Sequence, residues 1–226
     1  MLNKISVCSA CFLVIWFFAL PGLQAQFPMN GYFGVNVHVD HGDRPEEFPA
    51  VVDWIRDYSD WANFEPENNK YTFRNGKKNN FDSLYRRIKS LGTGTLLVIE
   101  DIPEWISPAP HHKHSGGFAP TGGKAGLFPE EYTEAASFFF QLAARYGSRR
   151  VNGDLLLTSD KISGLNTVPA IEVLNEADGD TSWENFVTIE QYAALLNAVY
   201  DGNGGKMGKG YGIKAADPGM QVSITG

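Results

Sequence analysis

Short apolar runs alternate along the chain with segments of helical periodicity. The apolar runs predict five strands, at residues 32–39, 51–58, 95–99, 168–174 and 221–225. Segments in which apolar residues recur every three or four positions predict three helices, at residues 81–91, 129–146 and 189–200. Because strands that alternate with helices are typical of β/α units around a parallel sheet, we expect an α/β fold.

The predicted strands are largely apolar without strict alternation, which indicates burial on both faces, as in a (β/α)8 barrel or a doubly wound sheet. The segment V-N-V-H-V-D-H-G-D, in and after the first strand, contains no glycine-rich phosphate loop, which disfavours a doubly wound nucleotide-binding fold. Polar, glycine-rich and aromatic residues follow the strands, where a barrel builds its active site. We therefore predict an incomplete (β/α)8 (TIM) barrel of about five β/α units, open at the fifth strand. An uncovered edge at 221–225 predicts aggregation or self-association.

Residues 1–25 have the features of a secretory signal peptide. Lys4 precedes an apolar core at 5–20, and a Pro-Gly pair separates that core from the expected cleavage site after residue 25. The core of about sixteen residues is shorter than the roughly 20 that span a bilayer. We expect a mature chain of residues 26–226 that is secreted, periplasmic or at the cell surface and has no membrane segment. An uncleaved anchor is the alternative.

The composition of this mature chain limits the classes of ligand and partner that it can bind. Both cysteines, Cys8 and Cys11, lie in the leader, so the mature chain has no disulfide and no cysteine metal site. Without Lys4, 18 basic residues face 26 acidic ones, a net charge near −8. Nucleic acids and anionic membranes bind to basic patches, so this negative charge argues against both as partners. A neutral polymer such as a polysaccharide is compatible with it.

The histidines do not form a metal-binding pattern. His38 and His41 are three positions apart on the first predicted strand and its extension, so their side chains face opposite ways. The other three histidines lie in a loop rich in Pro and Gly, without a neighbouring carboxylate, at His111, His112 and His114. We predict no metal site and no cofactor. A serine nucleophile is disfavoured as well, because the chain has no Gly-x-Ser-x-Gly elbow.

The fourth predicted strand ends in a motif that suits acid catalysis. Residues 170–179 read A-I-E-V-L-N-E-A-D-G, a buried run that closes in Asn175-Glu176. A carboxylic acid at the mouth of a strand can protonate a glycosidic oxygen, and an adjacent amide can hold a sugar hydroxyl. The alternative role for Glu176 is a helix N-terminal acid favoured by the helix dipole.

A second charge on the same strand requires a partner. Alternation places Glu172, Leu174 and Glu176 on one face, so Glu172 is expected inside the barrel. Arg56 is the predicted partner, because it is the basic residue on the inward face of the second strand. It either belongs to the substrate-binding site, where it keeps a site carboxylate ionised, or forms a structural ion pair.

Aromatic and polar side chains follow the other strands. Trp61, Trp105 and Trp183 come after the second, third and fourth predicted strands. Their rings either bury the C–H face of a sugar or cap the barrel. Asn36 and His38 share the inward face of the first strand and are expected to bind sugar hydroxyls or to form a satisfied buried polar pair.

These segments resemble the retaining glycoside hydrolases with (β/α)8 barrels that carry their acid/base in an Asn-Glu pair at the end of the fourth strand, and most of all the secreted, cellulase-like members. The resemblance rests on I-E-V-L-N-E at 171–176 and on W-I-R-D-Y-S-D-W-A-N-F-E-P-E at 54–67, and it covers 32–226. It implies that Glu176 is the acid/base and that Asn175 binds the sugar 2-hydroxyl. It also implies a nucleophile on a seventh strand, which this sequence does not contain.

The resulting expectation is an N-terminal fragment of a secreted glycoside hydrolase. Such an enzyme cleaves O-glycosidic bonds of a polysaccharide or oligosaccharide by retaining double displacement, and a fragment without its nucleophile is expected to be inactive alone. The first alternative is a non-catalytic carbohydrate-binding or cell-surface barrel protein. The second is a metal-dependent barrel hydrolase.

Overall fold

The structure is a computed structural model that describes residues 33–39, 44, 47, 52–74, 80–100, 102–106, 120–177 and 187–224. The expected signal peptide, Trp183, His41 and the three loop histidines lie outside these residues. In the described part of the chain, no helix is both long and apolar enough to cross a bilayer.

Five parallel strands form one sheet, and each strand pairs with the next along the chain, in the order β1-β2-β3-β4-β5. The strands are β1 Gly34–Val37, β2 Trp54–Ser59, β3 Gly94–Ile99, β4 Ala170–Val173 and β5 Gln221–Ile224. The α-helices are α1 Trp61–Phe64, α2 Phe81–Ser90, α3 Thr133–Tyr146, α4 Ile189–Asp201 and α5 Ile213–Ala216. The predicted α/β fold with an open five-stranded parallel sheet is confirmed.

The two faces of the sheet differ in burial. The outer face is fully buried on the three central strands, where it carries Ile55, Leu97 and Ile171, and Ile224 at its β5 edge is exposed. The inner face comprises the residues that alternate with these and share register positions across the strands, namely Asn36, Trp54, Arg56, Tyr58, Leu96, Val98, Ala170, Glu172, Gln221 and Ser223. Val98 and Ala170 at its centre are buried, but its flanks on β1 and β5 are exposed or half-buried. The expected burial on both faces is therefore confined to the middle of the sheet.

Helices cover the outer face, and α2 packs against β3 there. In α2 the Asn80 side chain accepts a hydrogen bond from Ser83 N at 3.0 Å, which caps the helix. From the same helix the Tyr85 hydroxyl donates to Asp57 on the outer face at 2.8 Å. The phenylalanines of α3 at 138–140 are all buried, and α3 packs against both α4 and α5.

Some element boundaries differ from the sequence prediction for local reasons. The helix predicted from residue 129 begins as a 3-10 turn, Pro129–Glu131, and regular α3 starts at Thr133. The short helix α1 is not predicted by the sequence pattern. Strand β2 starts at Trp54, whose ring packs directly on Gly94, where any Cβ would come within 2.7 Å of the indole. A residue without a side chain is therefore required at the start of β3.

Candidate active site

Arg56 and Glu172 form an ion pair on the inner face, across the intervening strand β3. Arg56 Nε donates to Glu172 Oε2 at 2.9 Å, and Arg56 Nη2 donates to Glu172 Oε1. The two side chains are 24% and 4% exposed. The predicted pairing is confirmed. A two-point contact of this kind compensates a carboxylate whose burial alone would be costly.

The same guanidinium connects the ion pair to the Asn-Glu motif. Arg56 Nη2 also donates to Asn175 Oδ1 at 3.1 Å, and Arg56 Cζ lies 4.5 Å from the centre of the Tyr58 ring. The His38 ring stacks on Tyr58 with centroids 4.8 Å apart. We call this connected group the Arg56 network, and its members are His38, Tyr58, Arg56, Glu172 and Asn175. It extends over β1, β2 and β4 at the carboxyl ends of the strands.

Asn36 lies beside this network without a described contact to it. It pairs in register with Arg56 and is exposed on the inner face. The predicted inward orientation of Asn36 and His38 agrees with these positions. Their role in binding sugar stays a prediction.

The backbone after β4 does not remain extended, which corrects the alternation expected for Glu172, Leu174 and Glu176. The strand ends at Val173, and Leu174 and Glu176 have φ angles of 70° and 48°. Residues with a side chain adopt this left-handed region rarely, and such strain of about 1–3 kcal/mol per residue clusters at functional sites. The turn at 174–176 therefore presents Glu176 at the surface, where it is exposed.

Three hydrogen bonds hold this turn in place. Leu174 N donates to Ile99 O at 3.1 Å, which extends the β3–β4 ladder by one residue. The Tyr192 hydroxyl of α4 donates to Val173 O at 2.9 Å. The third bond is the one from Arg56 to Asn175 already described. The position of Glu176 is thus fixed from the inner face, from β3 and from α4.

Two residues in this region are absent from the sequence prediction of the site. Glu100 directly follows β3 with inner-face parity, and its N–H donates to Ser59 O at 3.2 Å. The signal that singles out Glu176, a carboxylate after a buried strand, was present in T-L-L-V-I-E as well. Tyr58 supplies the ring that both Arg56 and His38 contact. The alternation along β2 predicts this, because it places Tyr58 on the same face as Arg56.

The tryptophans predicted as sugar platforms differ in their position and burial. Trp61 is 1% exposed, its ring stacks on Phe138 with centroids 4.3 Å apart, and its Nε1 donates to Glu65 Oε2 at 2.8 Å. The structure places Trp61 in the core, so its interpretation as a sugar platform is corrected. Trp105 is half-buried and lines a cavity. Trp183 lies outside the described residues, and its role stays a prediction.

The cavity beside Trp105 has a volume of about 160 Å3. We call it the Glu65 cavity, and it is lined by Glu65, Asn68, Asn69, Trp105, Thr133, Glu134, Ser137 and Tyr211. Burial raises the pKa of Glu65, hydrogen bonds from Trp61, Asn69 and Tyr71 oppose this, and the charge of Glu134 raises it further. The first turns of α3 form one wall, so the cavity lies on the helix side of the sheet, and no residue of the Arg56 network lines it.

Metal-binding side chains are not clustered in the described ranges. There, no group of three or more histidine, cysteine, aspartate or glutamate side chains is arranged to hold an ion. Of the histidines considered in the sequence, His38 lies within the described residues, and its ring stacks on Tyr58.

Comparison with solved structures gives glycoside hydrolases. A family 39 glycoside hydrolase from the gut symbiont Bacteroides cellulosilyticus WH2 matches 85% of this chain and 31% of its own, with 16% identity and a TM-score of 0.52. A beta-glycosidase matches with 15% identity and a TM-score of 0.48, over 82% and 45% of the two chains. An endocellulase from Pyrococcus horikoshii, solved with cellotetraose, matches with 13% identity and a TM-score of 0.47, over 86% and 50%.

These likenesses concern the fold. The chain spans between about a third and a half of the length of these three structures. No protein-family profile matches the sequence, and no curated protein matches it significantly. Taken with the open parallel sheet, the comparison shows that the chain has the fold of part of a TIM barrel.

Proposed function

We propose that this chain is part of a secreted glycoside hydrolase that cleaves O-glycosidic bonds of a polysaccharide or oligosaccharide. The observation that carries the proposal is the turn at 174–176. There a strand-ending carboxylate is exposed, and the amide before it is held by an arginine of the inner face. The glycosidase-like fold supports the proposal, because TIM barrels place their active sites at the carboxyl ends of the strands.

In the proposed reaction Glu176 acts first as an acid and then as a base. It protonates the leaving glycosidic oxygen and later removes a proton from the attacking water. Asn175 Oδ1 accepts the hydrogen bond from Arg56, which leaves the Nδ2 group of Asn175 to donate to the sugar 2-hydroxyl. Arg56 therefore has a positioning role in this proposal, through its hydrogen bond to Asn175.

A retaining mechanism needs a second carboxylate about 5–5.5 Å from the first. Glu172 is unsuited to nucleophilic attack, because Arg56 binds both of its oxygens. We propose that the nucleophile is a strand-ending glutamate that follows residue 226, in keeping with the partial coverage of longer glycosidases. The chain of 226 residues is then inactive alone.

The proposal is tested with a longer protein, expressed from the gene together with the reading frame that follows codon 226. We call this protein the extended enzyme. We expect three further β/α units with a strand-ending glutamate, and hydrolysis of aryl glycosides. Glu176→Gln should lower kcat by about 10²–10⁴-fold, the contribution of general acid catalysis. Glu190→Gln, at an exposed position in the first turn of α4, is the matched control and should leave kcat unchanged.

Other outcomes would revise the proposal. If the 226-residue chain hydrolyses glycosides and both Glu100→Gln and Glu176→Gln abolish the activity, Glu100 is the second carboxylate and the fragment hypothesis is wrong. If neither the short nor the extended protein hydrolyses any glycoside, the non-catalytic carbohydrate-binding alternative is favoured. The position of Trp105 in a cavity separate from Glu176 is the observation that supports this alternative.

A further inference from the structure

A second polar site lies on the helix side of the sheet, in the Glu65 cavity. Its volume of about 160 Å3 is below the roughly 300–1,000 Å3 of pockets for drug-sized ligands, so it suits a group the size of one sugar ring. The walls come from three segments that are distant in sequence, at 65–69, at Trp105 and at the start of α3, with Tyr211 as a fourth contribution.

The polar groups of the cavity are held rigidly. Glu65 is 3% exposed, and its two oxygens accept hydrogen bonds from Trp61 Nε1 at 2.8 Å and from Asn69 N at 2.7 Å. The Tyr71 hydroxyl donates a third hydrogen bond to the same carboxylate. The Asn69 amide donates to Asn68 Oδ1 at 2.7 Å. A buried carboxylate that is fixed by neutral donors can still accept hydroxyl hydrogens through its remaining lone pairs. The two side-chain amides can also donate to hydroxyl oxygens.

The aromatic component is oriented as well. Trp105 Nε1 donates to Glu65 O at 3.1 Å, and the indole meets Trp61 edge-on with centroids 6.0 Å apart. Trp61 itself is fixed in the core. An indole held in this way offers an apolar surface at low entropic cost to the C–H face of a sugar.

The charge of the cavity selects among sugars. Glu65 and Glu134 both line it, and the charge of Glu134 disfavours ionisation of Glu65, so the two carboxylates are close enough to interact. A uronate or a phosphorylated sugar would add a third negative charge and is rejected. Hydroxyl groups instead stabilise the carboxylates by donating hydrogen bonds to them.

We propose that the Glu65 cavity is a binding site for one neutral sugar residue, separate from the Glu176 site. The choice of carbohydrate as the ligand class rests on the proposed function, whereas the location of the site rests on the cavity alone. On this assignment the chain holds a glycan at two places, one on each side of the sheet.

Ligand-observed NMR and calorimetry on the 226-residue chain test the proposal. The probes are the neutral methyl β-glycosides of glucose, xylose, mannose and galactose, with methyl glucuronide as the anionic control. We expect at least one neutral glycoside to bind and the glucuronide not to bind. Trp105→Ala and Asn68→Ala should each weaken binding at least tenfold, while Glu176→Gln should leave it within twofold.

The variants are chosen so that the result remains interpretable. Asn68 is exposed, so Asn68→Ala tests the cavity even if Trp105→Ala fails to fold. Absence of binding by all neutral glycosides, or binding that Glu176→Gln abolishes and Asn68→Ala spares, overturns the inference. Binding of Ca2+ or glucosamine in place of the neutral glycosides overturns it too. None of these results affects the hydrolysis assay, so the proposed function is judged separately.

Discussion

Two arginines bind carboxylates on opposite sides of the sheet. The difference between their surroundings distinguishes an ion pair that stabilises the fold from one that can position a catalytic group. On the helix side Arg145 contacts Asp82 with two hydrogen bonds of 2.8 Å and Asp160 with bonds of 3.1 and 3.0 Å. Its Cζ lies 4.6 Å from the centre of the Phe73 ring. Arg56 on the inner face makes the same two-point contact with Glu172 and the same contact with an aromatic ring.

The surroundings of the two pairs decide what each can do. Arg145 and Asp82 are both 1% exposed, and the guanidinium is occupied by two carboxylates. Arg56 is 24% exposed, and its third partner is the amide that precedes the candidate acid. A sealed, charge-saturated arginine stabilises the packing of α2 on α3. An arginine at an open face, with one hydrogen bond directed at a strained turn, can position a reacting group.

Removal of the sealed arginine should have the largest effect on stability. Arg145→Met leaves Asp82 as a buried charge without its main partner and should lower the free energy of unfolding by about 3–5 kcal/mol. Urea unfolding followed by circular dichroism measures this value. A loss below about 1 kcal/mol would show that water reaches Asp82 and that the pair is not sealed.

Removal of Arg56, the arginine at the open inner face, should lower the free energy of unfolding less than removal of Arg145 does, but it should lower kcat more. Arg56→Met should lower the free energy of unfolding by about 1–3 kcal/mol, because water at the open inner face can solvate Glu172. The turn at 174–176 loses one of its three hydrogen bonds, so kcat of the extended enzyme should fall while KM changes little. Equal stability losses for Arg56→Met and Arg145→Met would remove the distinction between the two arginines.

The cap of α2 offers a milder change on the helix side. Asn80→Ala removes the hydrogen bond to Ser83 N in the helical turn that carries Asp82. It should lower the free energy of unfolding by about 1 kcal/mol, measured by the same urea assay. Since the change leaves the Arg56 network intact, kcat of the extended enzyme should match the wild type. A loss of activity without a loss of stability would contradict the separation of the two sides.

Glu65 is a buried carboxylate that is held by neutral donors and has no arginine partner among its hydrogen bonds. Its ionisation should therefore lower the free energy of unfolding, and this effect should be the smallest of the four. Burial raises its pKa above the ordinary value of 4.5, so the folded state binds more protons than the unfolded state once the pH exceeds that value. Stability of the wild type should therefore decline relative to Glu65→Gln as the pH rises from about 4.5 through the raised pKa. Urea midpoints of both proteins between pH 4 and pH 8 measure the difference, and a relative gain with rising pH would contradict the assignment.

The sequence was most informative where burial follows a simple period. Apolar runs were enough to predict the five strands and their parallel sheet, and alternation along β2 and β4 was enough to pair Arg56 with Glu172. The order β1-β2-β3-β4-β5 follows from β/α units that add strands one by one.

Local backbone geometry was beyond such patterns. Neither Leu174 nor Glu176 is a residue that favours a left-handed conformation, so the turn that ends the extended chain carries no sequence signal. The burial of Trp61 depends on the short helix α1, in which Trp61 and Phe64 face the core together. That spacing of three was visible in W-A-N-F, but four residues are too few to distinguish a helix from a loop.

The most direct test of the account compares two leaving groups in the extended enzyme. A general acid matters most when the leaving oxygen is a poor leaving group, so Glu176→Gln should reduce kcat/KM for an alkyl glycoside far more than for a 2,4-dinitrophenyl glycoside. We expect a difference of at least 100-fold between the two reductions. Equal reductions for both substrates would show that Glu176 does not donate the proton.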